Sequence, residues 1–555
     1  MRFDKRGGLT RRLFLGAVGS TGTTCAAGEK VVEAEVSANE RSREAYRIRV
    51  DAARLQRDTA QPLHPTNSDE QVFPSKIGNF SKGLPHNALG EVNTAAYQVL
   101  TQALTDRAVQ SDIERVPMGS ADPSRQMKFV DPCAGVCFEL EGADSHKLSI
   151  RAAPGVTSAE TAGEMVELYW QALARDVPFT EYASDAVTNA ASAELTRISD
   201  FRGPKAKGAV TSQTLFRGLT NGDRAGPYVS QFLLKAIPFG TQFVEQRMRS
   251  IVPGTDYLIQ YFDWLSAQNG TKPDQALRFD STRRYIRNGR DLAQWVHIDV
   301  LYQAYFNAML IMSHPPDPTD EWTGGGMGVP LNSGNPYRQS ANQEGFGTFG
   351  GPAIATAVAE SAARALKAVW YQKWFVHRRL RPEAYGGLVQ NTVSSGQKYP
   401  LHSDVLNSEA LSRIHSRYGS YLLPMAYPEG CPMHPSYGAG HATVAGASIT
   451  ILKSLFDENF VIPNPVVASP DGLSLIPYQG PDANQLTVGG ELNKLAANVG
   501  LGRNFAGVHW RSDFAESVEL GETLAISVLR DQRLTFSEQF GGSTFTLLDG
   551  TKITV

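Results

Sequence analysis

From about residue 157 to residue 531 the apolar residues recur every three or four positions, and almost nothing alternates apolar with polar before the last dozen residues. Side chains return to one face of an α-helix at that spacing, whereas a half-buried strand needs a period of two. The pattern predicts an all-α fold of packed helices. Ala162, Met165, Val166, Tyr169 and Leu173 form one stripe, opened by Thr157-Ser-Ala-Glu160 at capping-box spacing and closed by Pro178. A single long helix is expected over 282–312, stopped by Pro315-Pro316. The next starts at Pro352, has Val358, Ala362, Ala365, Leu366, Val369 and Trp370 on its apolar face, runs to about Arg378, and must stop before Pro382. Further helices are expected near 441–456, 488–500 and 513–531. Thr544–Leu548 and Thr551–Val555, around Asp549-Gly550, read as a β-hairpin.

This punctuation divides the 555 residues into five stretches. Residues 1–28 are a basic leader, 29–150 a mixed and irregular region, 151–330 a first helical bundle, 331–540 a second bundle, and 541–555 the terminal hairpin. The leader carries Thr10-Arg11-Arg12-Leu13-Phe14-Leu15 before a short apolar run and small residues, and so resembles a twin-arginine export signal. Export to the periplasm or outside is the expectation, with a disordered basic tail on a cytoplasmic protein as the alternative. No run of about 18 apolar residues occurs, so no membrane span is expected. With 53 basic against 56 acidic residues, no global charge favours nucleic acid.

Two features are set aside. Gly345-Phe-Gly-Thr-Phe-Gly350 fits a dinucleotide-binding glycine pattern, but a loop precedes it where that motif needs a strand, so it reads as a lead-in to the next helix. Four cysteines exclude a disulfide scaffold; Cys133 and Cys137 read either as a small disulfide or as two thiols, and Cys431 as a small buried residue.

Three stretches put cations and histidines where packing wants apolar residues. Lys373 falls on the buried face of its helix, three residues after Trp370, and Arg381 is aimed independently because Pro382 follows it. His434 and His441 flank Gly438-Ala439-Gly440 at a helix start, where free N–H groups attract anions. Arg503 precedes His509, and Asp513, four residues on, is placed to accept a hydrogen bond from that imidazole and fix its tautomer. Three cations, backbone donors and two histidines suit a highly charged tetrahedral oxyanion such as phosphate or vanadate.

The order K-x7-R-P, then H-P-S-Y-x-x-G-H, then R-x5-H-x3-D resembles the vanadium-dependent haloperoxidases, which share this oxyanion site with the type 2 phosphatidic-acid phosphatases. The Lys373–Arg381 gap and His434 are similar to the algal bromoperoxidase branch, as is the helical text from about 157 to 530. The resemblance implies two helical bundles, a homodimer or larger assembly, and a vanadate cofactor that activates hydrogen peroxide as a Lewis acid. Bromide or iodide would be oxidised to the hypohalous acid, which halogenates a small organic acceptor. Lys373, Arg381, Arg503 and the Gly440 N–H would hold the equatorial oxygens. His509 would be the axial vanadium ligand and His441 the acid–base group. His434 would favour bromide and iodide over chloride. Ala439 departs from the family's usual serine, and Gly438 from its proline; the lost hydroxyl implies weaker vanadate binding. An acid phosphatase with His509 as nucleophile and a non-catalytic oxyanion-binding protein are the competing readings.

Overall fold

A computed structural model describes residues 38–105, 109–316 and 326–555. The leader 1–28 and its export motif lie outside these. The backbone divides after Val50 into two units. The described part of the first, Ala38–Val50, is helical and belongs to a charged helix, Ala38–Asp58, that contains no buried residue. The described part of the mixed region thus begins with a regular helix the sequence did not announce.

The second unit, Asp51–Val555, is mostly helical. Six of its helices build the site and are labelled in chain order: α1 (Ala159–Leu173), α2 (Gly351–Tyr371), α3 (Pro382–Ser394), α4 (Gly440–Leu455), α5 (Val488–Phe505) and α6 (Arg511–Arg533). Apart from His441 and the final Leu455, every residue of α4 is buried, and the helix packs against α2, α5 and α6. A helix apolar on all sides belongs at the centre of a bundle. Its close approach to α6 depends on two glycines. A Cβ on Gly446 would strike the Val518 carbonyl, and one on Gly521 would strike the Thr443 carbonyl. Both obstacles are backbone and cannot swing aside. Gly446→Ala should therefore destabilise by about 1–3 kcal/mol, the usual cost of overpacking. Chemical denaturation checks this, and an unchanged midpoint would show that the helices can separate freely.

Three expectations need correction. The capping residue of α1 is Ser158, not Thr157: its hydroxyl accepts from the Thr161 N–H, while Glu160 turns to Arg151. The single helix over 282–312 does not form. Phe279–Arg284 is a strand paired with Met248–Ile251, and two short helices follow, Gly289–Trp295 and Gln303–Ser313. Asn288 starts the first of these by accepting from the Asp291 N–H. The Val296 carbonyl beyond it receives Arg503 Nη1 at 2.7 Å, so it does not serve a continuing helix. Third, strands are not confined to the end: Ile237–Phe239 pairs with Gln242–Val244, and Val466–Ala468 with Leu475–Pro477. These ribbons are too short for a period of two to show.

Other expectations hold. Gly350 caps α2, no strand precedes Gly345, and Pro352 sits in the first turn. The terminal hairpin pairs Thr544–Thr546 with Lys552–Thr554, and Gly550 takes φ of 90° in the connecting loop. Among the described residues no helix is long and apolar enough to cross a membrane.

Candidate oxyanion site

The α2 helix ends in a wider π-helical turn, Gln372–His377, after which Arg378 adopts a left-handed conformation. Such turns redirect side chains and recur at functional sites. Here the turn carries Lys373, which is fully buried. Its ammonium donates to the carbonyls of Pro435 at 2.9 Å and Ser436 at 3.0 Å, and lies 5.6 Å from the Trp370 ring. Arg381 is the N-cap of α3 in extended backbone, as the following proline demands. Its guanidinium donates to the His434 and Val508 carbonyls, to His434 Nδ1 at 2.9 Å, and to His509 Nε2 at 3.1 Å.

His509 lies just before α6, and Trp510 is that helix's N-cap. Asp513 Oδ2 accepts from His509 Nδ1 at 2.7 Å, from the Trp510 N–H at 3.0 Å, and from the Ser436 hydroxyl. The pair spans a helix start in a fully buried place, so it is no surface i,i+4 pair. With Nδ1–H given to the carboxylate and Nε2 accepting from Arg381, the imidazole is neutral and presents a fixed tautomer. Burial, then the cations Arg381, Lys373 and Arg503, hold its pKa well below the ordinary histidine value.

Arg503 ends α5. Its Nη1 donates to the Val296 carbonyl and, at 3.3 Å, to the Tyr427 hydroxyl, while its Nε is buried with no partner. His441, one residue into α4, donates from Nε2 to Asp299 Oδ1 at 3.1 Å. Asp299 lies in the break between the two short helices. Burial opposes its ionisation, but His441 and Arg503 win and hold its carboxyl below the usual value. Burial lowers the pKa of His441, Asp299 raises it, Arg503 lowers it again, and the net direction is down.

The predicted residues converge. Lys373, Arg381, His434, His509 and Asp513 are joined through side-chain hydrogen bonds and the 434–436 backbone, and Arg503 and His441 enter through shared fields. Burial lowers the Lys373 pKa well below its ordinary value, with Arg381 and Arg503 adding to the fall and Asp513 opposing it. Arg381 is brought down to about 10, again by burial first. Cations that depress one another in a dry site call for an anion. The helix end agrees. Ala439 is the N-cap of α4 and supplies no side-chain oxygen, so the first-turn amides from Gly440 onward have no cap. The nearby Ser517 hydroxyl does not substitute: it accepts the Ala439 N–H at 2.7 Å. Cys431 is buried, and burial and the Glu383 carboxylate push its thiol up, away from redox reactivity.

A family model for the second helical-bundle domain of vanadium chloroperoxidase (VCPO) matches residues 353–537, which contain the whole donor set. The vanadium-dependent bromoperoxidase of Corallina pilulifera is 34% identical over 88% of this chain and 92% of that protein. The chain belongs to the vanadium-dependent bromoperoxidase family. The family's Ascophyllum nodosum bromoperoxidase is 33% identical over 91% of this chain and 90% of its own length. The solved homohexameric second vanadate-dependent bromoperoxidase of Ascophyllum nodosum superposes with a TM-score of 0.88 at 31% identity, covering 98% of this chain and 94% of that one.

Two residues that complete the site escaped sequence reasoning. Asp299 was hidden inside a stretch read as one helix. Tyr427, whose hydroxyl meets Arg503, had no motif around it.

Proposed function

We propose that the protein is a vanadium-dependent haloperoxidase, oxidising bromide or iodide with hydrogen peroxide to hypohalous acid, which then halogenates a small organic acceptor. The observation that carries this is the buried, mutually repelling set Lys373, Arg381 and Arg503 around a neutral His509 whose tautomer Asp513 fixes. These residues fit vanadate: Arg503 Nε is an orphan donor, and α4 opens uncapped. Bound vanadate supplies Lewis-acid activation of peroxide.

The rest is work for the chain. Lys373, Arg381, Arg503 and the Gly440 N–H would hold the vanadate oxygens and neutralise their charge in a buried place. His509 Nε2, which here accepts from Arg381 Nη1, would be the nitrogen offered to the vanadium once that hydrogen bond yields. His441, held at Nε2 by Asp299, would take up the proton of hydrogen peroxide at its other ring nitrogen. His434, packed 4.9 Å from the Trp370 ring and bonded to Arg381, shapes the halide side of the cage. Export through residues 1–28 and assembly as a homo-oligomer complete the reading. The first rests on the paired arginines, the second on the homohexameric relative.

The test is bromination of a phenolic dye by metal-stripped protein, with and without orthovanadate, then with excess phosphate. Activity that needs vanadate and yields to phosphate is expected. Phosphate-ester cleavage without bromination would turn the reading to a phosphatase.

Ala439→Ser should tighten orthovanadate binding about 10- to 100-fold, since a charge-assisted hydrogen bond contributes roughly 1.5–3 kcal/mol. Equilibrium dialysis measures it. Unchanged affinity would show the new hydroxyl turned onto the amides of its own helix.

A further inference from the structure

Arg379 lies between Lys373 and Arg381 but points the other way, behind the axial histidine. It is almost wholly buried. Its Nη1 donates to Asp513 Oδ1 at 3.1 Å and to the Ser512 hydroxyl at 2.8 Å; its Nη2 donates to Glu164 Oε2 at 2.8 Å and to the Thr161 hydroxyl at 3.3 Å. The guanidinium lies 4.7 Å from the Trp510 ring. Its own carbonyl accepts the Ser436 N–H at 3.1 Å, and the Ser436 carbonyl in turn receives Lys373.

We infer that Arg379 is a positioning residue for vanadate: it fixes the rotation of the Asp513 carboxylate so that His509 keeps Nε2 aimed into the cage. The geometry supports this directly. Asp513 uses Oδ2 for His509, Trp510 and Ser436, and Oδ1 for Arg379. A carboxylate gripped at both oxygens cannot turn without breaking an ion pair, and a rigid fork grips better than a flexible ammonium. Glu164, from α1, holds the far side of the fork. It also accepts the Ser512 N–H at the start of α6, which ties the guanidinium to the helix that carries Asp513. Burial works against the charge on Arg379, but Glu164 and Asp513 more than offset it, so the group stays cationic. The chain Glu164–Arg379–Asp513–His509 thus links α1 to the axial nitrogen.

A merely structural ion pair makes a different prediction from a positioning one. Vanadate needs the His509 nitrogen as well as the cationic cage, whereas phosphate needs the cage alone. The inference rests on the vanadate reading above, and the experiment separates the two. Orthovanadate and inorganic phosphate affinities are measured by calorimetry on metal-stripped full-length protein. The variants are Arg379→Lys and the double variant Arg379→Gln with Glu164→Gln, which leaves no lone Glu164 carboxylate should the lysine variant not fold; His509→Ala is the reference.

We expect vanadate affinity to fall at least tenfold in both Arg379 variants, phosphate affinity to fall less than threefold, and Arg379→Lys to retain more vanadate affinity than the double variant. Equal losses for the two anions would make Arg379 structural, and no loss would remove it from the site; either result overturns the inference. If His509→Ala itself weakens both anions equally, the axial assignment on which the inference rests fails, and the inference falls with it.

Discussion

His509→Ala should abolish vanadate-dependent bromination, lowering the rate at least about 10³-fold, while the protein still folds and binds phosphate. Removing a single hydrogen-bond donor from an oxyanion site costs about 10²–10³ in rate. On the proposed reading His509 would supply a ligand nitrogen and align the site as well, so its loss belongs at or above the top of that range. The fold should tolerate the change for a local reason. Asp513 keeps the Trp510 N–H, the Ser436 hydroxyl and Arg379, so its buried charge is not stranded. Arg381 Nη1 likewise keeps the Val508 carbonyl at 2.6 Å. Steady-state dye bromination at saturating vanadate, with calorimetry for phosphate, checks both halves. Retained activity would disprove the axial assignment. Loss of phosphate binding together with activity would mean that the imidazole holds the cage open instead of serving one side of it.

What the sequence made legible follows from how local each device is. Lys373 and Arg381 straddle one helix end, and Pro382 holds Arg381 in extended backbone, so short-range facts place that cation. His509 and Asp513 are four residues apart, so their bond survives even though a helix starts between them. Asp299 was illegible for the opposite reason. It meets His441 from 142 positions away, and Leu292, Trp295, Val296, Tyr302, Tyr305 and Phe306 keep a helical apolar spacing on either side of the break that carries it. Periodicity reports which residues avoid water, not whether the helix between them is continuous. Arg379 was visible only as part of a basic helix end. Its meaning comes from Glu164, 215 positions earlier. The π-helical turn under Lys373 also leaves no sequence mark, because its residues are the aromatic and basic ones any helix end could carry.

Asp299→Asn should lower kcat/KM for hydrogen peroxide by about 10–100-fold, the loss usual when the partner that orients a working histidine is changed. Asparagine can still accept from His441 Nε2, so the ring's place is retained and the charge is what disappears. That charge raises the His441 pKa against burial and Arg503. Without it the pKa falls further below 6.5, and the imidazole becomes a weaker base for the peroxide proton. The direction of the pH effect follows. A base with a lower pKa stays neutral to lower pH, so the acid limb of the peroxide profile moves to lower pH even as the plateau drops. No ion pair with His441 is lost, because that ring is neutral near pH 7, but buried Arg503 loses an anionic neighbour and keeps the Val296 carbonyl, so stability without a bound anion should fall modestly. The pH dependence of kcat/KM for peroxide, at saturating vanadate and bromide, reads both effects. A plateau that drops while the acid limb stays fixed, or moves up, would show that His441 is not the group that titrates, and the proton of peroxide would need another acceptor in the cage.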